Sequence, residues 1–180
     1  NHKVHILVNN SGGPAAGPIT DATEEAFLNT FSQHLICNHI LTKAVVPSMK
    51  AEGYGRIINI ISTSVKIPLK NLGVSNTIRG AVASWAKTMA NELGQFNITV
   101  NNVLPGFTAT QRLTSLIENI AKKGNTVVGL IEQNMKAEVP MKRFADATEI
   151  AAVAAFLASP AASYVNGVSI PVDGGRTGSI

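Results

Sequence analysis

The sequence has few of the features that mark secreted, metal-binding or membrane proteins. It contains a single cysteine, Cys37, which excludes an internal disulfide, and no Cys/His cluster with zinc-ligand spacing accompanies it. The longest uninterrupted apolar run, residues 150–158, has nine residues. A membrane-spanning helix needs roughly 20. No signal-peptide pattern is visible. We therefore expect a cytoplasmic protein without a metal site or a membrane contact.

Charge is also weak and dispersed. The chain has 15 basic and 11 acidic residues, a formal net charge of +4, and its basic residues occur in short pairs such as Lys122 and Lys123. Scattered charge of this kind is typical of a solvated surface rather than of a nucleic-acid interface, although it suits an anionic cofactor. We expect no nucleic-acid partner.

The apolar residues, in contrast, are plentiful and ordered. Hydrophobic residues make up 45% of the 180 positions, enough for one domain with a sizeable core. Short runs rich in Val and Ile alternate with longer helical patterns, which favours a parallel α/β sheet. Strands are predicted over residues 4–8, 56–61, 98–104 and 168–172.

Residues typical of helix ends separate these strands. Asp21 and Glu24 are placed like a capping pair, and Gly53 closes the helix that they begin. A helix over residues 73–93 is predicted to end at Gly94, and Asp146 is predicted to open the last helix. Residues 110–136 predict one or two helices over a loop. The chain starts without Met and almost directly in a strand, so we interpret residues 1–180 as one partial domain, a fragment.

Ligands of parallel α/β sheets bind beyond the carboxyl ends of the strands. Asn10, Ser11 and Gly12 follow the first strand, where glycine lets a ligand approach the backbone, or where they form a plain turn. Ser62 follows the second strand and can donate a hydrogen bond to a carbonyl, or simply ends the strand.

The third predicted strand leads into a PGxxxT pattern. Pro105 and Gly106 predict a rigid turn, and the hydroxyl of Thr110 is placed either to touch a ligand or to cap the next helix. On the preceding helix, Ser75 and Arg79 are four residues apart and share a face. Taken alone, that pair predicts a solvated helix edge.

Together these segments resemble the short-chain dehydrogenase/reductase superfamily, in the group similar to beta-ketoacyl-carrier-protein reductases. The segments VHILVNNSGG, GRIINIIS, NELGQFNITVNNVLPGFTAT and ASYVNGVSIPVDGG look like the family's strands 4 to 7, with its NNAG and PG motifs. Several motifs in the right order along nearly the whole chain are a stronger signal than a lone glycine pattern.

The resemblance implies a Rossmann-like, doubly wound parallel sheet of which this chain is the C-terminal part. It implies NAD or NADP as the cofactor, yet the family's glycine-rich pyrophosphate turn does not occur in the sequence, so we expect that motif outside this chain. It also implies a small-molecule carbonyl substrate and a homodimer or homotetramer in the full-length form. The expected cofactor contacts are Asn10, Ser11, Gly12, Pro105, Gly106 and Thr110.

The family's catalytic set is Asn, Ser, Tyr and Lys, the last two spaced as YxxxK. Its serine falls on Ser62, and thirteen residues later Ser75 stands at the tyrosine position. Arg79 stands at the lysine position, and His34, twenty-eight residues before Ser62, stands at the asparagine position. Only the serine of this set is retained.

These exchanges affect proton transfer. The family's tyrosine acts as a general acid and base because the lysine lowers its pKa, whereas a serine hydroxyl is far less acidic and an arginine stays charged. His34 titrates in the useful range and is either part of a rearranged relay or a histidine that only packs in its helix.

Two functions follow from the resemblance. The first is an oxidoreductase that transfers hydride between NAD(P)H and a carbonyl or alcohol substrate such as a 3-oxoacyl thioester, with Ser62 polarising the carbonyl. The second is a catalytically inactive relative that binds a nucleotide or assembles with active subunits. The resemblance places the usual oligomer contacts on the helices that carry His34 and Ser75.

Overall fold

The computed structural model describes residues 3–179, which form a four-stranded parallel sheet with helices on both faces. The strands pair in chain order, each with the next. Their bounds are β1 (Ile6–Asn9), β2 (Gly55–Ile60), β3 (Ile98–Pro105) and β4 (Ser169–Val172). The predicted α/β fold with a parallel sheet is confirmed.

The α-helices within the described residues lie between these strands. They are α1 (Glu24–Phe31), α2 (Cys37–Glu52), α3 (Gly73–Leu93), α4 (Gln111–Lys123), α5 (Val128–Ala137) and α6 (Ala147–Ala158). α1 and α2 are joined by a single π-helical segment, Ser32–Ile36. No helix among residues 3–179 combines the length and apolarity that crossing a bilayer requires.

Side chains of neighbouring strand residues enter different core layers. Ile57 packs with Met49 of α2 and with Ala86 and Ala90 of α3, whereas Ile58 belongs to a separate cluster that contains residues of α6. Both isoleucines are at most 1% exposed. The alternation arises because successive residues of a strand point to opposite faces, and it explains why β2 reads as a continuous apolar run.

Two of the predicted element starts are wrong. The first strand was expected over residues 4–8, but the register pairs Ile6 with Arg56 at the beginning of β2 and carries the pairing through Asn9. Residue 4 would therefore face a position before β2 begins. The expected Asp21 and Glu24 capping pair is also wrong, because Thr23 is the N-cap of α1 and its side chain accepts a hydrogen bond from the Ala26 N–H.

The other helix ends follow the sequence more closely. Gly53 ends α2 in the left-handed conformation at φ 62°, and Asp146 opens α6 as one half of a capping box with Glu149. Gly94 does follow α3, but with right-handed φ −55°, and the chain continues through a 3-10 turn to Asn97. The left-handed residue is Asn97, whose side chain donates to the Gly53 carbonyl at 2.9 Å.

A row of hydrogen-bonded side chains crosses the sheet at one register level. Asn9 lies opposite Asn59, Asn59 opposite Asn102, and Asn102 opposite Ser169. Nδ2 of each asparagine donates to the next side chain, at 2.9 Å to Asn59 Oδ1, 3.0 Å to Asn102 Oδ1 and 3.0 Å to Ser169 Oγ. The three asparagines are at most 4% exposed, so breaking one bond leaves buried polar groups unpaired.

This polar row yields a stability prediction. Asn59→Ala removes two of its hydrogen bonds, and we expect it to lower the free energy of unfolding by about 2–4 kcal/mol, more than Asn9→Ala, which removes one. Asn10→Ala, at the exposed neighbouring position, serves as the control and is expected to change little. Urea unfolding followed by circular dichroism measures all three, and an Asn59→Ala loss no larger than that of Asn9→Ala would contradict the role of the row.

Candidate active site

The turn after β1 brings Ser11 and Gly12 against the helix that follows. Ser11 Oγ lies 2.8 Å from Nδ1 of His34. A Cβ built on Gly12 would have no atom within 4 Å, so the space above this backbone is open. Asn10 is exposed. The turn therefore combines an accessible backbone with a hydroxyl that orients a buried histidine.

His34 occupies the π-helical segment between α1 and α2, a type of helix irregularity that is frequent at functional sites. Its side chain is buried, and Nε2 has no hydrogen-bond partner among the described residues. Burial, together with the positive charges of Arg79 and Arg112, lowers the pKa of His34 from 6.5 to about 4. A hydrogen bond with the Gly12 backbone acts in the opposite direction but is outweighed. At neutral pH the imidazole is therefore uncharged.

Ser75 and Arg79 are both buried, so the solvated edge expected from their shared helix face is wrong. Arg79 Nη1 donates to the carbonyl of Ile60, the last residue of β2, at 2.9 Å. Burial, with a smaller contribution from Arg112, lowers the pKa of Arg79 to about 10, so the guanidinium stays charged at neutral pH. A face on α3 that is polar in sequence therefore points into the carboxyl edge of the sheet.

Ser62 is the N-cap of a short 3-10 turn, Thr63–Val65, and its Oγ accepts a hydrogen bond from the Ser64 N–H at 3.1 Å. This contact uses the acceptor side of the hydroxyl and leaves its O–H free to donate. The side chain is half-buried. Ser62 is thus a strand-ending cap that can also donate to a carbonyl, so the two alternatives from the sequence are compatible.

The turn after β3 has a packing role. Pro105 is the last residue of β3, and the Gly106 N–H donates to the Val172 carbonyl at 2.9 Å. A Cβ on Gly106 would lie 2.6 Å from Cβ of Asp173, so only glycine fits between the two strand ends. Thr110 precedes α4 and is exposed, but its side chain makes no capping hydrogen bond and instead contacts the Thr108 carbonyl at 3.4 Å.

Two residues of the site escaped the sequence analysis. Arg112 donates from Nη1 to the Gly13 carbonyl at 3.0 Å and from Nη2 to the Pro14 carbonyl at 3.3 Å, which ties α4 to the turn after β1. Asn76, next to Ser75, donates to the Leu69 carbonyl at 2.8 Å and fixes the loop before α3. The role of Asn76 could have been predicted from sequence, because an amide in the first turn of a helix often binds the preceding loop. The role of Arg112 could not, because its partners are 98 and 99 residues away.

The structure therefore brings some of the predicted residues together and leaves others apart. Ser11, Gly12 and His34 form one contact group, to which Arg79 and Arg112 are coupled through charge. The turn of Pro105, Gly106 and Thr110 lies at the end of β3 and has no hydrogen bond to this group within residues 3–179. No cluster of three or more His, Cys, Asp or Glu side chains suited to a metal occurs in that same part of the chain.

A cavity of about 250 Å³ opens beside the carboxyl ends of β3 and β4. Phe107, Asp173 and the ion pair of Arg143 with Glu149 contribute to its wall. Both carboxylate oxygens of Asp173 already accept backbone N–H groups, from Gly175 and Thr177. The charged side chains that line the cavity thus already have hydrogen-bond partners. The predicted catalytic residues are not part of the lining.

Comparison with known proteins extends over almost the whole chain. The family described as enoyl-(acyl carrier protein) reductase matches residues 1–177. The NADPH-dependent reductase BacG of Bacillus subtilis is 36% identical over 99% of this chain and 69% of its own. Trans-4-hydroxycyclohexanecarboxylate dehydrogenase of Sinomonas cyclohexanicum is 34% identical over 96% of this chain and 60% of its own.

Solved structures agree with these sequence matches. YwfH, an NADPH-dependent reductase involved in bacilysin biosynthesis, superposes with a TM-score of 0.93 at 36% identity over 99% of this chain and 68% of its own. The actinorhodin polyketide ketoreductase with NADPH gives a TM-score of 0.92 at 29% identity over 98% and 69%. The chain therefore belongs to the short-chain dehydrogenase/reductase superfamily of oxidoreductases.

Proposed function

We propose that this protein transfers hydride between NAD(P)H and a carbonyl or alcohol substrate, in the group similar to the beta-ketoacyl-carrier-protein reductases, with 3-oxoacyl thioesters among its candidate substrates. The observation that carries the proposal is the placement of Arg79 on the last carbonyl of β2, two residues before Ser62. The guanidinium of Arg79 and the hydroxyl of Ser62 thus both lie at the end of β2, where a parallel sheet binds its ligands.

The residues at this edge fit a nicotinamide cofactor. Within residues 3–179 Arg79 spends one hydrogen bond on a backbone carbonyl, so its remaining N–H groups can donate to ribose hydroxyls. The open space above Gly12 and the exposed hydroxyl of Thr110 provide further places for contact. When bound, the cofactor supplies or accepts the hydride. That its glycine-rich pyrophosphate turn lies outside this chain stays a prediction.

The chain's own residues polarise the substrate rather than protonate it. We infer that the Ser62 O–H donates to the substrate carbonyl oxygen and stabilises the negative charge that develops there. Arg79, which stays charged, adds to that stabilisation but does not release a proton at neutral pH. His34 is uncharged at neutral pH. The proton that completes the alcohol therefore comes from water.

An assembly of identical chains is part of the proposal. Several large apolar side chains of the α1 to α2 region are exposed, among them Leu28 at 68% and Ile40 at 59%. Several exposed apolar side chains on one helical segment are typical of a protein interface. We propose that these helices pack against a second copy, forming a homodimer or homotetramer.

The role of Ser62 can be tested with its neighbour as a control. We expect Ser62→Ala to lower kcat/KM by about 100- to 1000-fold, the usual effect of removing a donor to a developing oxyanion. Ser64→Ala removes an adjacent buried hydroxyl that has no partner among residues 3–179, and it should keep most of the activity. The assay follows NADPH absorbance with ketones and 3-oxoacyl thioesters. Equal losses in the two variants would refute a direct role of Ser62.

The missing acid gives a second prediction. Ser75→Tyr combined with Arg79→Lys restores a phenol beside a lysine, and we expect it to raise kcat at pH 7 by about 10-fold or more. The same absorbance assay measures it, with each single variant as the comparison. If the native protein shows no turnover and only the double variant does, the protein is the catalytically inactive relative rather than a reductase.

His34 gives a pH prediction. Its pKa is about 4 in the folded chain and ordinarily 6.5, so the unfolded chain binds this proton more readily. The contribution to stability is complete above about pH 6.5 and is lost as the pH falls toward 4, by roughly 3 kcal/mol. The charges that face the ring are Arg79 of α3 and Arg112 of α4, both positive throughout this range.

Urea unfolding at several pH values between 4 and 7.5 measures this loss. His34→Gln should flatten the pH dependence, because glutamine does not titrate, while His39→Gln at an exposed position of α2 should leave it unchanged. A His34→Gln profile as steep as that of the native protein would show that His34 is not the group responsible.

A further inference from the structure

Two guanidinium groups of the candidate active site have no carboxylate partner among residues 3–179. The ion pairs within residues 3–179 use other side chains, and neither Arg79 nor Arg112 takes part in one. The hydrogen bonds that they make in this part of the chain go to the backbone carbonyls of Ile60, Gly13 and Pro14. Positive charge at this edge of the sheet is thus held in place but not neutralised.

The position of Arg112 is fixed by its surroundings. Its two bonds to consecutive carbonyls hold the guanidinium flat against the turn after β1, and a Cβ on Gly13 would lie 2.5 Å from Nη2. Glycine at position 13 therefore allows this close contact. The turn also holds His34 through Ser11, so the arginine and the histidine share one support.

The burial of Arg79 makes an uncompensated charge costly. Its side chain is 8% exposed. Isolated buried cations are rare, because removing a charge from water costs free energy that no ion pair then offsets. The neighbouring charge of Arg112 makes the surroundings still less favourable to a cation. Such an arrangement is stabilised when a ligand brings the missing negative charge.

We propose that Arg79 and Arg112 form a binding site for an anionic group of the substrate, a carboxylate close to the reacting carbonyl. The proposal rests on the proposed reductase function and narrows its substrate from carbonyl compounds in general to 2-oxo acids and similar oxo carboxylates. A guanidinium binds a carboxylate through two parallel N–H donors, and each arginine retains unused donors.

The apolar side chains around the helix that carries Arg112 favour a substrate with an apolar tail. α4 and α5 pack around Leu113, Ile117 and Met135, and beyond this cluster Ile120 and Leu130 remain exposed. A substrate with a carboxylate at one end and an alkyl chain at the other matches the two surfaces. The cofactor's phosphates are the other source of negative charge, and the experiment has to separate the two.

The test compares 2-oxooctanoate with its methyl ester, which keeps the carbonyl and the alkyl chain but lacks the charge. We expect the native full-length protein to prefer the acid, and Arg112→Gln to lower kcat/KM for the acid by about 10- to 100-fold while changing the ester by less than about 2-fold. Lys122→Gln removes a charge from the same helix and should affect neither substrate.

The other outcomes distinguish a failure of the anion site from a failure of the reductase function. If Arg112→Gln raises the KM for NADPH and lowers the rates of acid and ester equally, the site serves the cofactor and the proposal is wrong. A native enzyme that does not discriminate acid from ester also refutes it. If no substrate of either kind is reduced, the reductase function fails, and calorimetry then decides the anion site alone, because 2-oxooctanoate but not its ester must bind the native chain more tightly than Arg112→Gln.

Discussion

The asparagine row across the sheet is the constraint on which the rest of the structure depends. In a sheet buried on both faces, a slip of one residue still leaves apolar side chains on each face, so apolar packing sets the register less strictly than in a half-buried sheet. A buried amide does not tolerate such a shift, since a slip of one residue separates Asn59 from both of its partners. The hydrogen bonds therefore keep the carboxyl ends of the strands at one level, where the candidate site is assembled.

The second constraint is the surplus of positive charge at that edge. Arg79 stands at the position predicted to correspond to the family's lysine, and it does not donate a proton at neutral pH because burial lowers its pKa only to about 10. Burial, together with this charge and that of Arg112, lowers the pKa of His34 and keeps its imidazole neutral at neutral pH. Under the predicted correspondence, the exchange removes the tyrosine acid but keeps one positive charge, because arginine stands in place of lysine. The proposed anion site therefore depends on Arg112 as much as on Arg79.

The sequence predicted the fold better than the site. Strand and helix spans follow from local pattern, and the boundaries of α3 agree with the prediction because one amphipathic repeat runs from Gly73 to Leu93. Thr23 was missed as a cap because Asp21 is an equally good capping residue two positions earlier, and only the path of the chain decides between them. Arg112 was missed because its partners are distant in sequence, and the packing of Gly106 against Asp173 was missed for the same reason.

The π-helical segment is the feature that no local pattern indicated, and it explains the placement of His34. A π turn inserts one residue into the helix and shifts the faces on either side of it, so side chains that an unbroken α-helix would direct elsewhere converge. Here the shift coincides with His34, whose ring contacts the turn after β1. Nε2 of that ring is buried without a partner in the described residues, so placing His34 there lowers the free energy of unfolding. A helix that retains such a cost fits the proposed role of His34 in the site better than a role in packing alone.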